Sequence, residues 1–207
     1  MHIPTPSLFT RLGKTAAAVL AAVLAAGLLA AGAVHAAEPQ VSLKTTMGEI
    51  VLELDPEKAP KTVDNFLQYV KSGFYKGTII HRVEDGFVIQ GGGMDAKLQG
   101  RATRKPIKNE SDNGLSNAAY TVSMAREAHP DSATSQFFIN LGDNAGLDYP
   151  NMNGSGYAVF GKVVKGREVV DKIKGVVVDD VRGVKNVPVT PIVIQSATLL
   201  KGDKAVK

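Results

Sequence analysis

A succession of short apolar runs limits the fold of this chain more than any other feature of its sequence. Eight runs read as strands, because apolar and β-branched residues alternate with polar ones or form short blocks. A sheet of so many strands must close on itself or stack, since open edges and an uncovered apolar face are unstable. The runs are residues 41–45, 50–54, 78–83, 87–90, 120–125, 136–140, 157–164 and 191–200.

Only two segments have the periodicity of an amphipathic helix. The first begins near Pro60, which suits the first turn of a helix, and ends at Gly73. The second and shorter one covers Arg167–Ile173. Both carry one apolar stripe, so they could cover the open ends of a barrel.

Residues 1–36 differ from the rest of the chain. Arg11 and Lys14 are their only Lys, Arg, Asp or Glu side chains, and Ala16–Val34 contains only Ala, Val, Leu and Gly. The segment closes on Val34-His35-Ala36, a pattern typical of a cleaved secretory signal peptide cut after Ala36. A permanent membrane anchor is the alternative, because the apolar run is near the length of a spanning helix.

The charge balance after such a cut is small. Without Arg11 and Lys14 the chain has 22 Lys and Arg against 20 Asp and Glu, a net charge of +2. This balance argues against a dedicated nucleic-acid binder. Cysteine is absent, which excludes disulfides and a lipid-anchored lipoprotein. Residues 40–200 then form one domain, followed by a flexible Lys-rich tail at 201–207.

Two stretches come close to ligand-binding motifs and fail at the decisive position. Gly156–Val163 matches a phosphate-binding loop until its end, where Val163 replaces the Ser or Thr that holds magnesium. Tyr149–Gly154 resembles part of a calcium loop but lacks the first carboxylate. With only His81 and His129 after the signal and no Cys, we expect no metal and no cofactor.

The charged residue Arg82 stands in a strand of apolar residues, where a guanidinium is costly unless it is paired or used. Residues two apart in a strand share a face, so Gln136 and Phe138 point one way, and Val88 and Gln90 share another face. From these residues alone, Arg82 is equally well a salt-bridge residue or a functional one. For Phe138 the residues alone favour a place in the core over a place in a site, because aromatic side chains are often buried.

Longer stretches around these residues resemble a known family. "HRVEDGFVIQGGG" (81–93) and "SMAREAHPDSATSQFFI" (123–139) resemble the two signature stretches of the cyclophilin-type peptidyl-prolyl isomerases. "GYAVFGKVVKG" (156–166) resembles the family's next strand, and "KTVDNF" (61–66) its first helix. "IKNESDNGLSN" (107–117) is similar to the bacterial branch and, with the signal, suggests its periplasmic members.

The resemblance covers residues 40–200 and implies a mainly β fold, a closed eight-stranded antiparallel β-barrel capped by two α-helices. It implies an enzyme that rotates X–Pro bonds without a covalent intermediate, metal or proton transfer. Arg82 would be the catalytic hydrogen-bond donor. The proline pocket would consist of Phe87, Val88, Phe138, Leu147 and Tyr157, and the flanking peptide backbone would be held by Gln90, Ala125, Arg126 and Gln136.

The implied partners are proline-containing segments of exported proteins that fold in the periplasm. We expect a monomer that binds no nucleic acid and has no stable membrane association. A binding module or holdase that uses the same groove without turnover is the competing hypothesis, although mere binding does not require Arg82.

Some positions depart from the usual pattern of the family. Val88 replaces a frequent Met, Arg126 an Asn and Tyr157 a His. Gly146 lies where an aromatic residue is usual, which removes one wall beside Leu147. We therefore expect weak sensitivity to cyclosporin.

Overall fold

A computed structural model describes residues 38–151 and 154–200. The predicted signal or anchor at 1–36 and the predicted tail at 201–207 lie outside the described residues. No helix within the described ranges has both the length and the apolar character needed to cross a membrane. The strands are β1 Gln40–Thr45, β2 Gly48–Leu54, β3 Ile79–Glu84, β4 Val88–Gly91, β5 Thr121–Met124, β6 Phe137–Asn140, β7 Val159–Lys165, β8 Val178–Val181, β9 Val184–Pro188 and β10 Ile192–Leu199; the helices are α1 Pro60–Lys71 and α2 Arg167–Lys174.

Eight of these strands close into one barrel, in the order β1-β10-β3-β4-β6-β5-β7-β2. All neighbouring pairs are antiparallel. Closure leaves no exposed sheet edge, which solves the problem posed by so many short strands. The predicted fold, a closed eight-stranded antiparallel β-barrel with two α-helices, is confirmed.

The interior of the barrel is filled by alternate residues of the strands and by one face of α1. Phe66 of α1 lies at the centre of an aromatic cluster, with its ring centroid 5.2 Å from Tyr75, 5.6 Å from Phe137 and 5.2 Å from Phe160. Phe137 and Ile139 both belong to this core. Because strand side chains alternate, the residues between them point to the outer surface of the barrel.

The two helices lie close to the predicted positions, and local contacts explain their ends. The first N–H groups of α1 are bound by Glu110, whose carboxylate accepts from the Thr62 N–H at 2.8 Å. The chain enters α2 through Gly166, whose φ of 87° is left-handed. Val169 of α2 packs so closely on Gly48 that a Cβ at that glycine would lie 2.7 Å from a Val169 methyl.

The hairpin of β8 and β9 was not predicted. It forms a two-stranded sheet of its own, and β9 packs against β3 of the barrel. Asp179 and Asp180 are both exposed on β8, so the strand lacks the alternation of apolar and polar residues that identifies a half-buried strand.

Candidate active site

Four side chains form a row across the outer face of four neighbouring strands. Arg82 on β3 lies directly opposite Gln90 on β4, Gln90 opposite Phe138 on β6, and Phe138 opposite Ser123 on β5. Adjacent strands are about 4.8 Å apart, so the row places a cation, an amide and an aromatic ring side by side. The closed barrel below supplies a rigid base for them.

Arg82 makes contacts on three sides. Its Nη1 donates to Oε1 of Gln90 at 3.4 Å, and its guanidinium carbon lies 5.6 Å from the ring centroid of Phe87. Its Nη2 forms an ion pair with Glu84, which is two residues along the same strand. The salt bridge considered from the sequence is therefore present. The side chain nevertheless remains 32% exposed, so the guanidinium borders solvent at the surface of the site.

An amide pair continues the site beyond Arg82. Nε2 of Gln90 donates to Oε1 of Gln136 at 2.9 Å, and the backbone N–H of Ala125 donates to the Gln136 carbonyl at 3.0 Å. The Gln136 side chain lies over Gly93, where an added Cβ would be 2.4 Å from it. One groove is lined by Gln90, Ala125 and Gln136 together with Arg126, Glu127, Ser132 and Thr134.

The apolar part of the site surrounds Phe138. Its ring meets Tyr157 edge to face, with the centroids 5.6 Å apart. Val88 and Phe138 are 2% and 4% exposed, so they form the base of the site. Leu147 lies in a short 3₁₀ helix, and its carbonyl accepts from the Tyr157 N–H at 2.9 Å. That bond ties the segment carrying Tyr157 to the loop that carries Leu147.

Arg126 uses its donors on its own chain. Its guanidinium stacks 4.5 Å from the ring centroid of Tyr157 and donates to the Gly156 carbonyl at 3.1 Å. It also donates to the carbonyl of Glu127 at 2.9 Å and to Oγ of Ser155 at 3.2 Å. In this arrangement Arg126 braces the Tyr157 segment.

The sequence did not point to several residues that hold the site in place. Asn144 donates to the Phe87 carbonyl at 2.9 Å and so fixes the turn that carries Phe87. Asn117 donates through its backbone and side chain to Asp148 and accepts from Ser123 Oγ at 2.7 Å. The sequence feature that could have indicated these residues is the density of Asn and Asp in the loops, because their side chains readily form hydrogen bonds to the backbone. Glu84 was also missed as the partner of Arg82.

The histidine next to Arg82 on β3 has a lowered pKa. Burial, together with the neighbouring charge of Arg82, lowers the pKa of His81 to about 4. The imidazole is therefore neutral near pH 7 and adds no charge beside the guanidinium.

Within the described part of the chain, no group of three or more His, Cys, Asp or Glu side chains is placed to hold a metal ion.

The sequence was then compared with models of known families. The model of the cyclophilin type peptidyl-prolyl cis-trans isomerases matches residues 40–199. This chain belongs to the cyclophilin family. The match covers the whole barrel and every residue of the site described above.

Curated relatives bear the same enzyme name. The peptidyl-prolyl cis-trans isomerase cyp18 of Streptomyces antibioticus is 57% identical over 162 residues, covering 77% of this chain and 98% of the relative. Isomerase A of Dickeya dadantii is 57% identical over 161 residues, covering 78% and 84%. Isomerase B of Escherichia coli is 48% identical over 161 residues, covering 77% and 98%. The cyclophilin described here is a peptidyl-prolyl cis-trans isomerase.

A solved structure agrees with the barrel. A cyclophilin type isomerase of Cryptosporidium parvum, crystallised in the presence of the dipeptide Ala-Pro, is 28% identical and has a TM-score of 0.68. The match covers 79% of this chain and 99% of that one.

Proposed function

We propose that this cyclophilin accelerates the rotation of X–Pro bonds in exported proteins as they fold, with Arg82 as the hydrogen-bond donor. The observation that carries the proposal is the row of Arg82, Gln90 and Phe138 on adjacent strands. It sets a fixed cation and an amide beside an apolar site in which an aromatic ring can pack on a proline.

The chemistry needs few groups. An X–Pro bond isomerises over tens to hundreds of seconds because rotation breaks amide resonance, at a barrier of about 20 kcal/mol. In the twisted transition state the proline nitrogen regains a lone pair that can accept a hydrogen bond. The twisted amide is also less dipolar than the planar one. A well-aimed donor and a dry apolar surface therefore both favour the transition state over the ground state.

Arg82 suits the role of donor because its guanidinium carries a fixed charge and several N–H groups in one plane. It can hold the substrate carbonyl and reach the proline nitrogen as the bond turns. A hydrogen bond to a charged group contributes about 1.5–3 kcal/mol, whereas an acceleration of about 10⁶-fold needs roughly 8 kcal/mol. The rest must come from the apolar site around Phe138 and from the groove of Gln90, Gln136 and Ala125.

The ion pair with Glu84 helps to fix the orientation of the Arg82 side chain. Its Nη2 is paired with Glu84 and its Nη1 donates to Gln90, so the guanidinium is oriented before a substrate binds. Such preorganisation is useful, since a donor that is already aligned needs no reorganisation as the bond turns.

Exchange spectroscopy by NMR on an Ala-Pro peptide tests the proposal. We expect Arg82→Ala to lower the exchange rate roughly 10- to 100-fold, the loss of one charged hydrogen bond. The thermal unfolding midpoint should stay near that of the wild type. Arg182→Ala is the matched control, because Arg182 is exposed in the turn between β8 and β9. Near-normal exchange with Arg82→Ala would overturn the assignment, and peptide binding by the wild type without exchange would favour the holdase hypothesis.

The periplasmic location is a separate part of the proposal. It rests on residues 1–36, whose basic start, apolar centre and Val34-His35-Ala36 end are typical of a cleaved signal. N-terminal sequencing of the exported protein should begin at Ala37. An intact N-terminus in the membrane fraction would instead show that the segment is an anchor.

A further inference from the structure

A second depression lies between α1 and the loop 104–108, next to the groove lined by Gln90, Ala125 and Gln136, which is called the peptide groove below. It has a volume of about 400 Å³. Four cationic side chains line it, and Asp64 is the one carboxylate among the lining residues. The cations are Lys61, Arg104, Lys105 and Lys108. All four are exposed, so their charged ends are accessible to a ligand.

Within residues 38–151 and 154–200, none of these four cations is within ion-pair distance of an acidic side chain. The ion pairs among the described residues involve other cations, namely Arg82, Lys162, Lys165 and Lys174. Of the nearby acids, Asp64 accepts a hydrogen bond from Gln68, Asp131 accepts one from the Asn109 N–H, and Glu110 is bound to the first N–H groups of α1. A concave surface lined by one sign of charge concentrates anions in front of it.

A shared wall joins this cationic cleft to the peptide groove. Nδ2 of Asn65, which lines the cleft, donates to the Thr134 carbonyl at 2.6 Å, and Thr134 itself lines the groove. The N–H of Ile107 donates to the Ala133 carbonyl at 3.0 Å. Thr134 is four residues before Phe138, and because the chain bends at Ser135, their separation is at most roughly 13 Å.

We propose that the cleft binds acidic side chains of the same polypeptide whose X–Pro bond occupies the site. The carboxylates would lie about four to six residues from the proline, given the extended spacing and the reach of Lys and Arg side chains. The inference rests on the proposed function, because it takes the groove as the place of the X–Pro segment. It adds a class of substrate: proline segments with nearby Asp or Glu.

The observations favour a polypeptide over nucleic acid or a membrane surface. The cleft is local, includes Asp64, and belongs to a chain whose net charge without residues 1–36 is only +2. Its connection to the groove through Thr134 suits a ligand that runs from one to the other. Lys and Arg side chains suit carboxylates, which accept charge-assisted hydrogen bonds from both.

The test measures kcat/KM by NMR exchange on Ala-Pro peptides with a Glu pair four to six residues before or after the proline. Peptides with Gln in the same positions are the neutral reference. We expect one Glu peptide to exceed its Gln partner about fivefold at low ionic strength, mainly through KM, as two exposed ion pairs would give. High salt should remove the difference, because exposed charges are then screened.

Lys105→Gln with Lys108→Gln should bring the Glu peptide down to the rate of the Gln peptide, with the Gln peptide unchanged. Lys172→Gln with Lys185→Gln is the matched control, since it removes the same charge at exposed positions on α2 and β9. It should preserve the preference. Equal rates for Glu and Gln peptides in the wild type would overturn the proposal, as would an equal loss in the control.

The proposed function and this inference fail in different ways. If neither peptide is isomerised by the wild type, the proposed function is wrong. The cleft is then tested by titrating the Glu peptide and following the backbone amide signals of Lys105 and Lys108. Shifts that Gln peptides do not cause would support the cleft, and their absence would overturn it. Preferential binding of a DNA oligonucleotide or of anionic phospholipid vesicles, without a preference for Glu peptides, would also overturn it.

Discussion

Two neighbouring phenylalanines on β6 separate the two regions that define this molecule. Phe137 is 1% exposed and packs inside the barrel against Phe66 and Tyr75. Phe138 is 4% exposed and lies on the outer face beside Tyr157 and opposite Gln90. Burial alone does not distinguish them. Their partners do, because one ring is enclosed by core residues and the other borders a groove lined by polar groups.

One strand thus supplies the core with one face and the candidate site with the other. Alternation sends successive side chains to opposite faces, so each face can be used for a different purpose. The inner face closes a core that a substrate does not reach. The outer face places groups from four strands in one row, supported by that core.

The largest effect is expected from breaking the inner region. Phe137→Ala should lower the free energy of unfolding by about 3–5 kcal/mol, because it leaves a closed cavity among aromatic rings. Phe138→Ala should cost only about 1.5–3 kcal/mol, the transfer term, since its space opens to solvent. The isomerase rate should respond the other way, with a fall of about tenfold or more at Phe138. Chemical denaturation and NMR exchange on both variants measure this, and equal stability losses would erase the distinction.

A pH titration of stability tests the buried neighbour of Arg82. The pKa of His81 is about 4 in the folded chain, against a usual value of 6.5. Below pH 6.5 the unfolded chain therefore binds a proton at His81 that the folded chain does not bind. The contribution of the neutral His81 to the free energy of unfolding is complete above pH 6.5. It is lost as pH falls towards 4, by up to about 3 kcal/mol.

Denaturation curves at pH 7 and pH 4.5 measure that loss. His81→Gln should flatten the dependence relative to the wild type. A loss of the same size in both proteins would show that other groups are responsible.

A smaller effect is expected within the outer region. Glu84→Gln keeps the shape of the side chain but removes the charge that orients Arg82. We expect kcat to fall about two- to fivefold with little change in KM, in line with about 0.2–1 kcal/mol for an exposed pair. Asp85→Asn is the control, because Asp85 is exposed on the same turn. A rise in activity with Glu84→Gln would mean that Glu84 competes with the substrate for Arg82.

An effect on drug binding, rather than on activity or stability, is expected at the rim of the outer region. Gly146 is exposed, and an added Cβ there would meet no atom within 4 Å, so a large side chain fits. Gly146→Trp should strengthen cyclosporin binding by a few-fold to about tenfold, the contribution of one aromatic contact. Calorimetry on wild type and variant measures it. Tight binding by the wild type would contradict the expectation drawn from the missing aromatic wall.

The secondary structure was predictable from the sequence wherever it depends on the periodicity of apolar residues. The eight barrel strands and both helices lie within a few residues of the predicted ranges, because their apolar residues recur at the spacing of a strand or a helix. The hairpin of β8 and β9 was missed because Asp179 and Asp180 interrupt such a pattern. The pairing of Arg82 with Glu84 was within reach, since residues two apart share a face of a strand.

The sequence by itself determined the family, the eight barrel strands, and, through two motif stretches, the residue types of the candidate site. It left Arg82 undecided between a salt bridge and a functional role, because periodicity assigns a face and no partners. Only the tertiary structure decided which strands lie side by side, and therefore that Arg82, Gln90 and Phe138 form a row. It also decided that the cationic cleft lies behind Thr134. Both depend on contacts between residues distant in the chain, and closing a barrel fixes these through strand order and register.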